Sequence, residues 1–382
     1  MESVNPYTTY AQSANALAGA AMLGSVSSAA VGGDLAAVDE AVADLLRGAN
    51  AKSAANVAQA NRILAAVAGS STAVLGQALT GDVERQLRAI RNRTTSISNE
   101  PATEVWLNAE TDYHKMNADG MLPGYKLNSW GGTVGASRSM GHGTAVGLAL
   151  TAMYADVESD GADRLKGDLD TYYVSAFVQM ARGAWRHSLV ATVGMASVDA
   201  DRTVNYGGGS YTTSGSTDGT GIGALYEVGY SIPLRENGTV CLQPVANVAL
   251  RYSKLGAYSE SGSSAALNVG AQEYTVVTFG LGARLQASLD GNFWNRASFF
   301  EGRALVKVDC GDRDSSTDVA FRQASASHGT VRSAEKGAVG VELGVGLSVP
   351  VARRGEVFID ATADLRQHYT NLNATLGYKI SF

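Results

Sequence analysis

The sequence predicts an all-β protein: a closed antiparallel transmembrane β-barrel of about twelve strands, preceded by an N-terminal helical segment. Three observations predict it. From Glu104 onward apolar residues recur at every second position, as in "GAVGVELGVGLSVP" (337–350), where Val339, Val341, Leu343, Val345, Leu347 and Val349 share one face. The opposite face is glycine, small residues and single charges, a lumenal pattern rather than a solvated one. Connections between the candidate strands alternate between short turns and longer polar loops, and the chain closes on "NATLGYKISF" with Phe382 on the apolar parity.

Composition agrees. The chain of 382 residues holds 44 glycines, 16 tyrosines and 6 prolines, and its 17% of charged residues falls below the soluble norm of roughly 25%. No run reaches the roughly 18 apolar residues of a spanning helix; the nearest, residues 15–33, is Ala/Gly-rich and broken by serines. A net charge of −6 without a basic run gives no support for nucleic acid as a partner. Cys241 and Cys310 are too few for a disulfide framework and lack CxxC spacing, so they are expected to be unpaired, at opposite ends of the barrel. No cofactor or metal is expected. The start "MESVNPYTTY" carries an acidic residue where a secretory signal carries positive charge, and no compact apolar run follows it directly; if the protein is exported, its signal is expected upstream, in a longer precursor.

Residues 1–79 are Ala-rich with helical spacing: Leu35, Val38, Val42, Leu45 and Leu46 in one segment, Val57, Ile63, Leu64 and Val67 in the next. A third helix opens in "TGDVERQLRAIRNRTTSI" (80–97), with Thr80 or Asp82 as N-cap, and carries Arg85, Arg88, Arg91 and Arg93. Strands follow at roughly 103–115, 126–138, 144–157, 168–182, 185–202, 219–233, 239–254, 272–288, 297–310, 336–350, 355–367 and 372–382. Most meet the 9–11 residues needed to cross a bilayer at a tilt. The longer connections are expected at 116–125, 158–167, 203–218, 255–271 and 311–335. Trp130, Tyr172, Tyr226, Tyr230, Tyr252, Phe279, Phe300, Tyr378 and Phe382 fall mostly near strand ends on the apolar parity, as an aromatic girdle requires.

An Arg-bearing helix, the linker "SISNEPAT" (96–103), about twelve amphipathic strands and a last strand with Tyr378, Ile380 and Phe382 on one parity resemble the autotransporter β-domain family, the translocator of type V secretion. The resemblance spans about residues 80–382. It implies three parts: 1–79 an Ala-rich helical remnant of passenger or linker, 80–102 a pore helix and linker, and 103–382 an outer-membrane β-barrel. Its implied work is to anchor and export an N-terminal passenger at the surface of a Gram-negative-type cell, with the long loops outside. Outer-membrane lipid, the barrel assembly machinery and the chain's own passenger would be its partners, with Tyr378, Ile380 and Phe382 as the C-terminal assembly signal. The resemblance also implies that the helix threads the lumen. Inward parity supplies Glu110, Asp112, Glu227, Glu301, Glu342, Asp360 and Asp364 as partners for Arg85, Arg88, Arg91 and Arg93, partly offset by Arg251, Arg284, Arg303 and Lys307.

Three alternatives stand beside this reading. A porin-like channel without a passenger predicts an unobstructed lumen. An enzyme could use His187 with Ser188, or His114 near Asp112, but no GxSxG elbow accompanies them, and no catalytic role is assigned. A soluble all-β adhesin has no reason to sort its loops by parity. Some family members cut the pore helix at an asparagine; Asn92 and Asn99 match only by residue type.

Overall fold

The alternation from residue 102 onward forms strands, and in the computed structural model these close on themselves; residues 7–26, 31–93, 101–235, 238–293 and 296–382 are described. The twelve wall strands are β1 (Ala102–Met116), β2 (Tyr125–Ser139), β3 (Thr144–Ser159), β4 (Arg164–Arg182), β5 (Trp185–Asn205), β6 (Ser210–Tyr230), β7 (Val240–Leu255), β8 (Gln272–Phe293), β9 (Arg296–Gly311), β10 (Val339–Pro350), β11 (Gly355–Arg366) and β12 (Tyr369–Ser381). Each pairs antiparallel with its sequence neighbour. The ring shuts where β12 meets β1, from Glu104↔Ser381 to Met116↔Tyr369. Phe382 completes that seam, donating its N–H to the Thr103 carbonyl (2.8 Å) and accepting from the Thr103 N–H (3.2 Å).

The apolar parity faces outward, as expected: Leu148 is 63% and Leu281 69% exposed, while the alternate positions Glu110, Glu342 and Asp364 are buried inside. Aromatic residues edge this band. Near the long-loop end Trp130, Tyr154 and Tyr172 stand in sequence, with ring centroids 5.1 and 6.5 Å apart; near the short-turn end Trp185 meets Tyr230 at 5.0 Å. Just beyond the first group the outward positions become acidic, with Asp156 opposite Asp168 and Asp168 opposite Asp199. Like charges on adjacent strands repel and are tolerated where water solvates them, so this row marks the edge of the apolar band.

Two expected loops are largely strand. Residues 203–218 lie mostly in β5 and β6, each 21 residues long, and only Tyr206–Gly209 turn between them. The polar run hid its period because nearly all its side chains are small; the inward Val204 and Tyr211 pack into a core that the sequence does not show. Likewise 158–167 shortens to a turn at 160–163. Within 311–335, strands Ser316–Phe321 and Ala324–Arg332 form a separate four-stranded sheet with Leu267–Val269 and Tyr258–Ser259.

That small sheet carries the N-terminal helices α1 (Ala14–Gly24), α2 (Gly33–Leu45) and α3 (Ala54–Val67) as a cap on the long-loop end. Ser13 and Ser53 cap α1 and α3, accepting the N–H of Ala16 and Asn56. Alanine and glycine let the helices touch: a Cβ on Gly19 would stand 1.9 Å from the Leu64 carbonyl oxygen. Asn15 pairs through both ends of its amide with the backbone of Arg332, each bond 2.8 Å. The capping core joins Met22, Leu35, Val38 and Leu64 to Val204, Tyr211, Leu267, Phe321 and Val331.

The last helix, α4 (Val74–Arg93), runs down the barrel. It begins earlier than expected, so Thr80 and Asp82 are not its N-cap. The chain bends at Gly69 (φ +72°), passes through a 3₁₀ turn at Ser70–Ala73 and enters α4 directly. Thr80 instead returns its hydroxyl to the Gly76 carbonyl (2.9 Å), and Asp82 pairs with Arg85.

Candidate functional site: the plugged lumen

Helix α4 presents two faces. Its apolar stripe, Leu79, Val83, Leu87 and Ile90, follows 3.6-residue spacing and is fully buried. Strand β6 receives this stripe with Gly219, Gly221 and Gly223, where a Cβ would lie 3.0 Å from Leu79, 2.6 Å from Val83 and 2.9 Å from Leu87 respectively. Glycine is required there by close approach of the helix, not by backbone conformation. Around the first turns of α4, Val74, Leu75, Ala78 and Leu79 are ringed by Met116, Tyr125, Leu127, Val157, Leu165, Val198, Leu255 and Tyr369, an apolar collar beneath the cap.

Below the collar the contacts are ionic. Arg85 donates to Asp82 and to Glu110, both at 2.9 Å. Arg88 donates to Asn371 at 2.5 Å and lies 3.8 Å from Asp112. Arg91 pairs with Glu342 and lies 3.8 Å from Glu227. Four of the seven anticipated carboxylates therefore meet the helix arginines. Asp360 accepts from Asn92 of the helix (3.0 Å) and from Arg303, whereas Glu301 pairs with Arg284 and Arg303, and Asp364 with Lys307 and Arg366. The Arg93 side chain and Asn99 lie outside the described residues.

Sequence reasoning missed Glu84. It is one acid in an Arg-rich helix, yet Arg251, Lys307 (2.5 Å), Lys336 (3.1 Å) and Arg366 (3.7 Å) all converge on its carboxylate. Wall acids complete the cluster: Asp309 takes Arg366 (2.6 Å), Arg251 (3.3 Å) and Lys336 (3.3 Å), Asp364 takes Lys307 (2.5 Å), and Glu342 takes Lys307 (3.2 Å). Two of the lumenal cations that were expected to weaken the acidic wall, Arg251 and Lys307, are thus partners of the helix as well, whereas Arg284 and Arg303 pair with wall acids. A usable signal existed: Asp82 and Glu84 sit among the arginines, opposite a wall bearing both signs. Lys336 comes from the segment between Arg332 and β10, outside the spanning strands. Burial, with Arg366 beside it, pulls its ammonium down to about 8.

Polar contacts fix the rotation of the helix further. Gln86 donates to Thr151 (3.0 Å) and Ser175 (2.9 Å), and Thr171 donates to Asp82 (2.8 Å). His114 and Asp112 do come together, Nε2 against the carboxylate, but they are sealed against the helix, where a Cβ on Gly81 would stand 2.8 Å from the imidazole. His187 lies on the outer wall, its Nδ1 2.8 Å from the Tyr226 hydroxyl. Cys241 and Cys310 are both free.

The barrel of twelve strands thus holds one N-terminal helix, and the family model of the autotransporter β-domain matches residues 105–362. The chain belongs to the autotransporter β-domain family. Its fold is similar to the translocator domain of autotransporter NalP from Neisseria meningitidis, at 16% identity, covering 80% of this chain and 97% of that one with a TM-score of 0.62. It is also similar to the β domain of the Bordetella autotransporter Brka, at 15% identity over 73% of this chain and 98% of that one, with a TM-score of 0.51. No curated protein matches the sequence. Autotransporter β-domains are outer-membrane translocators, a transporter family rather than an enzyme family.

Proposed function

We propose that this chain anchors and exports a passenger attached N-terminal to its helical cap, and that α4 afterwards stays in the lumen as the plug. The observation that carries this reading is the direction of the threaded chain. Gln77, near the start of α4, donates to the carbonyls of Arg313 (3.0 Å) and Ala334 (3.3 Å) in the longest connection. Asn92, near its end, bonds Asp360, and β1 starts at Ala102 on the short-turn side. The described residues upstream of Val74 are therefore on the long-loop side, the side a translocator barrel turns to the cell exterior. An occupied lumen with an apolar collar and paired charges does not favour a porin-like channel. The outward Tyr378, Ile380 and Phe382 support recognition by the barrel assembly machinery through the strand that shuts the ring.

The test is a reporter domain fused ahead of residue 7 in whole cells. Protease added outside should remove it while the barrel stays folded and membrane-bound; a reporter protected until the outer membrane is broken would overturn the assignment. Separately, Phe382→Asp should lower the amount of folded barrel in the membrane, and normal insertion would remove the assembly role.

A further inference from the structure

At the bend between the cap and the plug, buried charged groups outside the lumenal network converge on one short stretch of chain. Helices α3 and α4 with its leading turn meet at 53° around Gly69. Asp163, in the β3–β4 turn and fully buried, accepts from the Ser70 hydroxyl (2.5 Å) and the Ser71 N–H (3.1 and 3.2 Å), while Ser71 donates its hydroxyl to the Asp163 carbonyl (2.7 Å). Arg202 of β5 makes a two-pronged pair with Glu260 (2.7 and 2.5 Å) and donates its remaining arm to the Ala66 carbonyl (3.0 Å). Glu260 also accepts the Leu267 N–H (3.0 Å), tying the pair into the small sheet. Gln272 of β8 donates to the Thr72 carbonyl (3.0 Å) and accepts from the Gly76 N–H (3.0 Å).

These contacts have a common logic. A cation stands at the carbonyl end of α3 and an anion at the amide end of the turn leading into α4, the arrangement favoured by both helix termini. Most of the bonds go to main-chain atoms, so the site reads the path of the backbone and accepts one bend. The apolar core already holds the cap on the small sheet; hydrogen-bonded buried charges add a single position for the bend.

We propose that these are positioning residues of a clasp that makes Gly69 a hinge: Asp163 and Gln272 hold the plug side of the bend, and the Arg202–Glu260 pair holds the cap side. With the Arg202 arm closed the cap sits on the long-loop mouth, and with it open the cap leaves as a unit while α4 stays seated. The plug is fastened separately, by the collar, the ionic lumen and the bonds of Asp163 and Gln272.

The experiment uses the full chain in membranes. Arg202→Met with Glu260→Leu removes both members of the ion pair together and frees the cap side of Gly69; Asp163→Asn, whose bonds lie on the plug side, is the second variant. Tryptic cleavage at Arg62, within α3, should become at least tenfold faster in the double variant and change little in Asp163→Asn, while hydrogen-exchange protection across residues 74–93 stays at the wild-type level in the double variant. A merely structural role would speed cleavage and lower that protection together. Unchanged cleavage at Arg62 in the double variant would overturn the clasp, and parallel loss of its protection in 74–93 would overturn the hinge, since cap and plug would then open as one.

Discussion

Replacing Glu84 with glutamine keeps the shape of the side chain and removes the one helix charge on which Arg251, Lys307, Lys336 and Arg366 converge. In the intact cluster these four cations face four acids, Glu84, Asp309, Glu342 and Asp364; the variant leaves three acids, one of which, Glu342, is shared with Arg91. Taking one partner from a buried ion cluster costs about 3–5 kcal/mol, because the remaining charge has no water to replace it. The lower end applies, since the amide still accepts a hydrogen bond, and about 3 kcal/mol is roughly a hundredfold in an equilibrium. Hydrogen exchange of the peptide spanning 74–93 reads the loss directly: its protection should fall about a hundredfold, with the strands unaffected. Adding Lys336→Met restores electroneutrality and should recover most of that loss, a coupling that independent sites would not show. Unchanged protection in the single variant, or a double variant as labile as the single, would refute the view that charge balance at Glu84 seats the helix.

Other expectations follow from the same seat. Gly221→Leu places a side chain where a Cβ alone would stand 2.6 Å from Val83, and overpacking of about 1–3 kcal/mol should lower protection of α4 by about tenfold or more; adding Val83→Ala should restore it. Lys336 gives a pH dependence. Its folded pKa of about 8 lies below the ordinary 10.5, so between these values the unfolded chain binds more protons and this group's contribution to stability rises with pH; below about 8 its full penalty of about 3 kcal/mol is present. The denaturant midpoint of the wild type should therefore gain on that of Lys336→Met as pH rises from 8 to 10.5, and parallel profiles would show that the ammonium is not desolvated.

The barrel was legible in the chain because its cause is local: a strand whose faces meet lipid and lumen must alternate, and the period of two survives in Val339–Val349 or Leu372–Phe382 without knowledge of any neighbour. Where both faces of a strand meet small polar groups or the cap, as at 203–218, the period vanishes from the sequence although the strand remains. The helix arginines and most of their acidic partners could likewise be assigned from parity, since parity fixes which side chains point inward. Which acid meets which base could not, because it depends on the rotation and depth of α4, set by the glycine track of β6 and by the collar. Glu84 shows this most plainly: its four cations come from β7, β9, the segment before β10, and β11, distant in sequence and joined only when the ring closes. The cap and its clasp also belong to the tertiary structure alone. An Ala-rich segment has no strong preference for what it covers, and only the small sheet raised from two long connections, together with Asp163 and Arg202 at the bend, gives it a place to bind.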